Sequence, residues 1–166
     1  MDLTADQKAF REGMSRMGAA VNLITTDGPA GKHGLVASAV CSVTDAPPTV
    51  LVCINRNSFV HGKFLQNGVL CVNVLASQHQ DLCNTFARYV EGVDRFAQGD
   101  WTTVATGSPV LTDSNVSLDC RIGSVLEQGT HSVMFCEVRG VHLSDAPGHG
   151  LVYFSRDYHH LQTPPL

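Results

Sequence analysis

Four consecutive polar residues, Asn55-Arg56-Asn57-Ser58, follow directly on an apolar segment. Their types suit an anion, because Arg offers a planar fork while Asn and Ser add directional donors. The alternative is a solvated turn in which Ser58 caps a short helix over residues 60–65, and the two are compatible, since a helix N-terminus also attracts anions. A second candidate lies upstream. Residues 34–48, GLVASAVCSVTDAPP, place small side chains (Gly34, Ala37, Ser38, Ala39, Cys41, Ser42) in a run whose Leu35, Val36, Val40 and Val43 otherwise read as strand. A flat polar ring could lie against such a strand and take hydrogen bonds from main-chain N–H groups. A strand pressed against a neighbouring backbone would use the same residues.

Other constellations fail on spacing. Gly31-Lys32 has the form of the end of a phosphate loop, but Thr26 stands where its first glycine belongs, and His33 where Ser or Thr would bind magnesium. No G-x-G-x-x-G follows a strand, so a dinucleotide bound here would not use the Rossmann device. The absence of a G-x-S-x-G elbow disfavours an acyl-transfer or hydrolytic enzyme. Eight histidines (His33, His61, His79, His131, His142, His149, His159, His160) form no H-x-H, H-E-x-x-H or Cys/His pair with ligand spacing, and no metal is expected.

The elements that must hold these residues fit one domain over residues 1–166, long enough to bury a core. With 43% hydrophobic and 16% charged residues the chain is not disordered, and its surface is thinly charged, as an interface would leave it. A net charge of -4 argues against nucleic-acid or membrane-surface partners and leaves a small molecule. The N-terminus lacks the pattern of an export signal and no apolar run reaches membrane-spanning length, so a cytoplasmic protein is expected. Six dispersed cysteines without a C-x-x-C pair read as buried free thiols.

Thr4 and Gln7 have capping-box spacing, opening a helix whose Phe10, Met14 and Met17 share a face expected to pack before Gly18 stops it. Strands are expected over residues 21–26, 49–54 (covered on both faces), 69–75, 115–127, 132–144 and 151–154. Ser77 and Gln80 repeat the capping-box spacing, residues 89–114 read as an irregular connection tacked down by Phe96, Trp101, Val110 and Leu111, and residues 128–131 form a hairpin tip. Residues 158–160 read as a tail running into Pro164-Pro165. Six or seven strands, often consecutive, against two or three helices indicate an antiparallel barrel or sandwich.

Phe10-Arg11-Glu12-Gly13-Met14, residues 19–31, residues 37–45 with Pro47-Pro48, and Cys53-Ile54-Asn55-Arg56-Asn57-Ser58 resemble the short-chain flavin reductases, the reductase components of two-component flavin monooxygenases such as those serving 4-hydroxyphenylacetate hydroxylation and pyrimidine degradation. The resemblance continues through residues 71–75, Arg95-Phe96, residues 117–120, Gly129-Thr130-His131 and residues 150–154, nearly the whole chain. It implies a mainly β fold, a split β-barrel of the FMN-binding type with a few flanking helices. It implies a homodimer that reduces FMN or FAD with NADH or NADPH, NADH being favoured, and supplies the reduced flavin to an oxygenase component. Ala37, Ser38, Ala39, Val40, Cys41 and Ser42 would then lie along the isoalloxazine, Asn55, Arg56 and Ser58 near the phosphate and ribityl chain, and Phe86 beside the ring. His131 would face the nicotinamide nucleotide. Thr130 replaces the Asp of the family's Gly-Asp-His signature, which puts that carboxylate's contact in doubt. Tyr158, with His159 or His160, would cover the site. Hydride transfer from nicotinamide C4 to flavin N5 needs positioning rather than an acid-base dyad, in keeping with the missing motifs. A non-catalytic flavin- or haem-binding protein of the same fold is the alternative, and a purely structural subunit would leave the 55–58 cluster without purpose.

Overall fold

The computed structural model describes residues 2–162; the Pro164-Pro165 end of the expected tail lies outside them. In chain order the elements are α1 (Ala5–Ser15), β1 (Ala19–Ala20), β2 (Asn22–Thr26), β3 (His33–Ala37), β4 (Val40–Asp45), β5 (Pro48–Asn55), α2 (His61–Asn67), β6 (Val69–Val74), α3 (Gln80–Phe86), β7 (Trp101–Thr102), β8 (Val110–Leu111), β9 (Val116–Gln128), β10 (His131–Leu143), β11 (Gly150–Phe154) and β12 (Asp157–Leu161). Short 3₁₀ turns precede α3 at Ser77–His79 and fill Arg95–Ala97. The expected six or seven strands thus become twelve among the described residues. None of the described helices is long and apolar enough to cross a membrane.

One seven-stranded antiparallel sheet, in the order β3-β2-β6-β9-β10-β5-β4, carries the fold. Its two outermost strands are consecutive in sequence and joined only by Ser38-Ala39. Three residue steps span at most about 11 Å, so the two edges must converge there and the sheet must curl. The result is a split barrel, closed by chain rather than by a ladder. The single strand expected within residues 34–48 is therefore two strands, broken at the point where the chain changes edges.

The barrel interior holds Ile24, Val52, Ile54, Leu70, Val72 and Met134, with Phe64 of α2 plugging one end. A second cluster, Val21, Leu23, Leu75, Leu82, Phe86 and Leu111, fills the space between the sheet and α3. Ile24 and Leu23, adjacent on β2, point to different clusters, as the two-residue strand period requires. β2 and β6 are thus the doubly covered strands. β5, expected to be covered on both faces, instead alternates, burying Val50, Val52 and Ile54 while Leu51 and Cys53 are half-exposed. Buried Asn73 ties the outer cluster together: its amide donates to Leu23 O and Thr25 Oγ1 and accepts from Leu111 N–H and Ser117 Oγ. Asp119 likewise accepts from the Ala105 and Thr106 N–H groups, pinning the irregular 101–114 connection.

All six cysteines are free thiols, four of them buried. Burial pushes the Cys71 and Cys120 thiols far up, Cys136 to about 12 and Cys83 to about 11, so they stay protonated and behave as small hydrophobes.

Local signals held unevenly. Thr4 and Gln7 form the expected capping box on α1. The helix nevertheless buries no residue: Phe10 is 68% exposed and Met17 63%. The second expected box is absent, because the Ser77 hydroxyl bonds the His149 and Gly150 carbonyls, and His79 Nδ1 instead accepts from Ala76 N–H. Ser58 contributes only its carbonyl to the start of α2, whose cap position is Val60. The expected tail is a strand, with β12 pairing along β11. Their turn places Ser155 and Arg156 at φ 52° and 63°, and contacts to α1 hold it: Ser155 N–H to Ser15 O and Arg156 Nη2 to Glu12 Oε2 at 2.7 Å.

Candidate functional site

A cleft of 370 Å³ opens where the converging edges meet the end of β5 and the start of β10. Leu35 to Ala39 form one wall, Cys53, Ile54, Asn55 and Ser58 the facing one, and Phe86, Ala87 and His131 close its ends. Gly34 makes this geometry possible. A Cβ there would come within 2.9 Å of the Phe86 ring, so the aromatic packs directly on the β3 backbone. Phe86 is fixed in turn by edge-on contacts with Phe96 and Trp101 at 5.0 and 6.2 Å between centroids.

The cleft's chemistry lies in groups that have no partner among the described residues. Ser38 and Ala39 fall between the two ladders, and neither N–H has a hydrogen-bond partner among the described residues. On the facing wall the Asn55 carbonyl oxygen is taken by Asn57 N–H at 2.9 Å, which leaves its NH₂ free. The Ser58 hydroxyl is uncommitted, and His131 uses Nδ1 on Thr130 Oγ1 at 2.9 Å, leaving Nε2. No Asp, Glu, Lys or Arg lines the cleft. Burial raises the Cys53 thiol, so it too is uncharged. Such a site can orient a polar ring and its substituents but lacks paired carboxylates for acid-base work.

The structure brings Ala37, Ser38, Ala39, Asn55, Ser58, Phe86 and His131 together in this cleft. It places the others elsewhere. Val40, Cys41 and Ser42 line a separate groove beneath α1, because the chain turns into β4 at Val40. Arg56 is committed to the hairpin tip: its guanidinium pairs with Glu127 at 3.1 Å and donates to Gly129 O, and its N–H donates to Thr130 O. Tyr158 lies behind the Val36-Ala37-Ser38 wall, in a 160 Å³ cavity shared with Tyr153. Burial pushes its phenol to about 12. His159 and His160 bond Phe154 O and Gln80 Oε1 rather than covering the cleft. Sequence reasoning missed Leu35, Val36, Cys53, Ile54 and Ala87; of these, only Leu35 and Val36 carry a signal, their place in the small-residue run.

The groove beneath α1 is larger, 940 Å³, and shares Ser38 and Ala39 with the cleft. Met14, Met17, Val50 and Leu118 make it apolar, with Arg11 and Arg156 as its charged members.

Residues 14–162 match the family of flavin reductase-like domains. The FMN reductase (NADH) RutF of Acinetobacter baylyi is 54% identical over 156 residues, covering 94% of this chain and 82% of that protein. Its namesake in Escherichia coli K12 is 51% identical over 159 residues, 96% of either chain. Among solved structures, flavin reductase PheA2 in its native state superposes with a TM-score of 0.84 at 28% identity, covering 98% of this chain and 100% of that one. BorF, the flavin reductase component of a bacterial two-component tryptophan halogenase, gives 0.86 at 26% identity, covering 95% and 99%.

Proposed function

The chain belongs to the family of flavin reductase-like domains, and from that premise we propose that it reduces FMN with NADH in the cleft over Ala37, Ser38 and Ala39. It is a flavin reductase, an oxidoreductase like the curated relatives it matches along most of their length. The observation that carries the site assignment is the cleft itself: unpaired main-chain N–H groups, free polar side-chain atoms on Asn55, Ser58 and His131, and no Asp, Glu, Lys or Arg among the described residues that line it.

A bound flavin supplies the hydride acceptor and reduced nicotinamide the donor. The protein's work is to stack the two rings with reacting atoms about 3–3.5 Å apart and to keep water out. The Ser38 and Ala39 N–H groups bond the polar edge of the isoalloxazine, and Phe86 packs beside it. Asn55 and Ser58 hold the ribityl chain, and His131 addresses the nicotinamide side. The uncommitted groove under α1 supports a homodimer in which Phe10, Met14 and Met17 meet a second chain. Reduced flavin then passes to an oxygenase component, a reading supported by the likeness to BorF, the reductase component of a two-component halogenase, and to component B of nitrilotriacetate monooxygenase. Free thiols and the proposed use of NADH support a cytoplasmic protein.

The test is direct. Purified protein mixed with NADH and excess FMN should lower the absorbance at 340 nm catalytically. Flavin binding without NADH oxidation would leave a binding protein of the same fold instead.

A further inference from the structure

Gly34 sits inside β3, opposite Thr25 of β2, without the positive φ that calls for glycine at several turns of this chain. Glycine within a strand costs stability relative to alanine, so the position needs another reason. Space supplies it. A Cβ at residue 34 would stand 2.9 and 3.0 Å from Cε1 and Cδ1 of Phe86 and 3.2 Å from the Ile24 carbonyl oxygen. A Cβ at Gly140 would meet Val104 closer still, at 2.6 Å, but Val104 is 45% exposed and can step aside, whereas Phe86 is 2% exposed.

The Phe86 ring has one direction in which to yield. Phe96 and Trp101 stand against it at 5.0 and 6.2 Å between centroids, themselves 5.0 Å apart, and the Arg95 guanidinium carbon lies 4.9 Å from its centroid. This buttress is tied to α3 itself: Thr85 Oγ1 donates to Gln98 Oε1 at 2.8 Å, and Trp101 Nε1 donates to Gln98 O at 3.0 Å. Leu82, Cys83 and Leu111 belong to the same buried cluster. The remaining side is the cleft, which Phe86 lines and Gly34 does not. An interior packed at crystal density passes such a displacement on rather than absorbing it.

We propose that Gly34 is a positioning residue that sets the width of the cleft through Phe86, and so decides whether an acceptor as wide as isoalloxazine can enter. The assignment rests on the reading of the cleft as a flavin site. It adds that no residue lining the cleft has to change for the acceptor to be refused. One methyl group placed outside the cleft, at residue 34, is enough, because the ring it displaces is itself part of the cleft.

Equilibrium FMN binding, followed by quenching of flavin fluorescence, and steady-state kinetics test it together. Gly34→Ala should raise both the FMN dissociation constant and the FMN Michaelis constant about tenfold to hundredfold, the range of an overpacked core position. The value of kcat at saturating FMN should change less than about threefold, the signature of lost binding rather than lost chemistry. In the Phe86→Leu background, where a shorter side chain leaves room for the methyl, the same substitution should change FMN affinity less than about threefold. Equal losses in the two backgrounds would show the methyl acting through β3 rather than through the ring, and would overturn the proposal. FMN affinity that survives Gly34→Ala would overturn it as well. If Gly34→Ala alone does not fold, the double substitution Gly34→Ala, Phe86→Leu still carries the test: its FMN affinity should match that of Phe86→Leu within about threefold, and a larger loss overturns the assignment. Unsubstituted protein that binds no FMN would instead overturn the flavin reading, and this proposal with it.

Discussion

Ser38 and Ala39 separate two cavities that differ in kind. On one side lies the 370 Å³ cleft, lined by no Asp, Glu, Lys or Arg among the described residues but provided with unpaired N–H groups at Ser38 and Ala39 and free polar side-chain atoms on Asn55, Ser58 and His131. On the other lies the 940 Å³ groove under α1, where Met14, Met17, Val50 and Leu118 present apolar area with little direction. Directional groups converging on a small volume select one ligand in one pose; broad apolar area suits another protein surface, whose shape does the selecting. One two-residue link serves both because it is where the barrel's edges meet, leaving N–H groups unpaired and side chains small.

If the two sides are separable, each can be damaged without the other. Ala37 lines the cleft and not the groove. Ala37→Phe should fill the cleft and reduce kcat/KM for FMN at least about hundredfold, since an aromatic ring occupies the volume a ligand needs. Sedimentation should show the oligomeric state unchanged; a simultaneous loss of assembly would mean the cleft and groove are one structure.

The complementary lesion is the double substitution Met14→Glu, Met17→Glu. Two carboxylates in the groove should weaken self-association by about hundredfold or more, because each must be desolvated to rebuild the interface. Concentration-dependent sedimentation measures this directly. Riboflavin and FMN affinities of the separated chains should fall less than about tenfold. A larger fall would show that the second chain completes the cleft, and the comparison would have to be redrawn.

The contrast also explains what could be read from the residues alone. The small side chains of residues 37–42 marked the link as a place of open backbone, because size is visible in a sequence. That Val40, Cys41 and Ser42 turn away from the cleft was not visible, since it depends on the chain changing sheet edges at Ser38-Ala39. Polar type was legible at Asn55 and Ser58; that Arg56 pairs with a carboxylate was not, since Glu127 comes from the far side of a hairpin 71 residues along. β12 was missed because its turn uses Ser155 and Arg156 at positive φ, where the usual signal is Asn or Gly. α1 was expected to pack, yet it buries no residue in the described fold; an apolar helical face signals a partner without saying where that partner lies.

His131 offers the finest division, within the cleft rather than across it. It occupies the first position of β10, opposite Asn55, with Nε2 uncommitted. Thr130 Oγ1 lies 2.9 Å from Nδ1, and a hydroxyl there can donate to that nitrogen and so leave the proton on Nε2. A carboxylate at position 130 would accept from Nδ1–H and turn neutral Nε2 into an acceptor. His131→Ala should therefore raise the NADH Michaelis constant roughly three- to tenfold, the scale of one hydrogen bond, with the FMN dissociation constant changing less than about twofold. Thr130→Asp should alter the same constant without removing the ring. If both substitutions change flavin affinity and leave nicotinamide kinetics alone, His131 belongs to the flavin wall with Asn55, and the division of the cleft into flavin and nicotinamide sides fails at this residue.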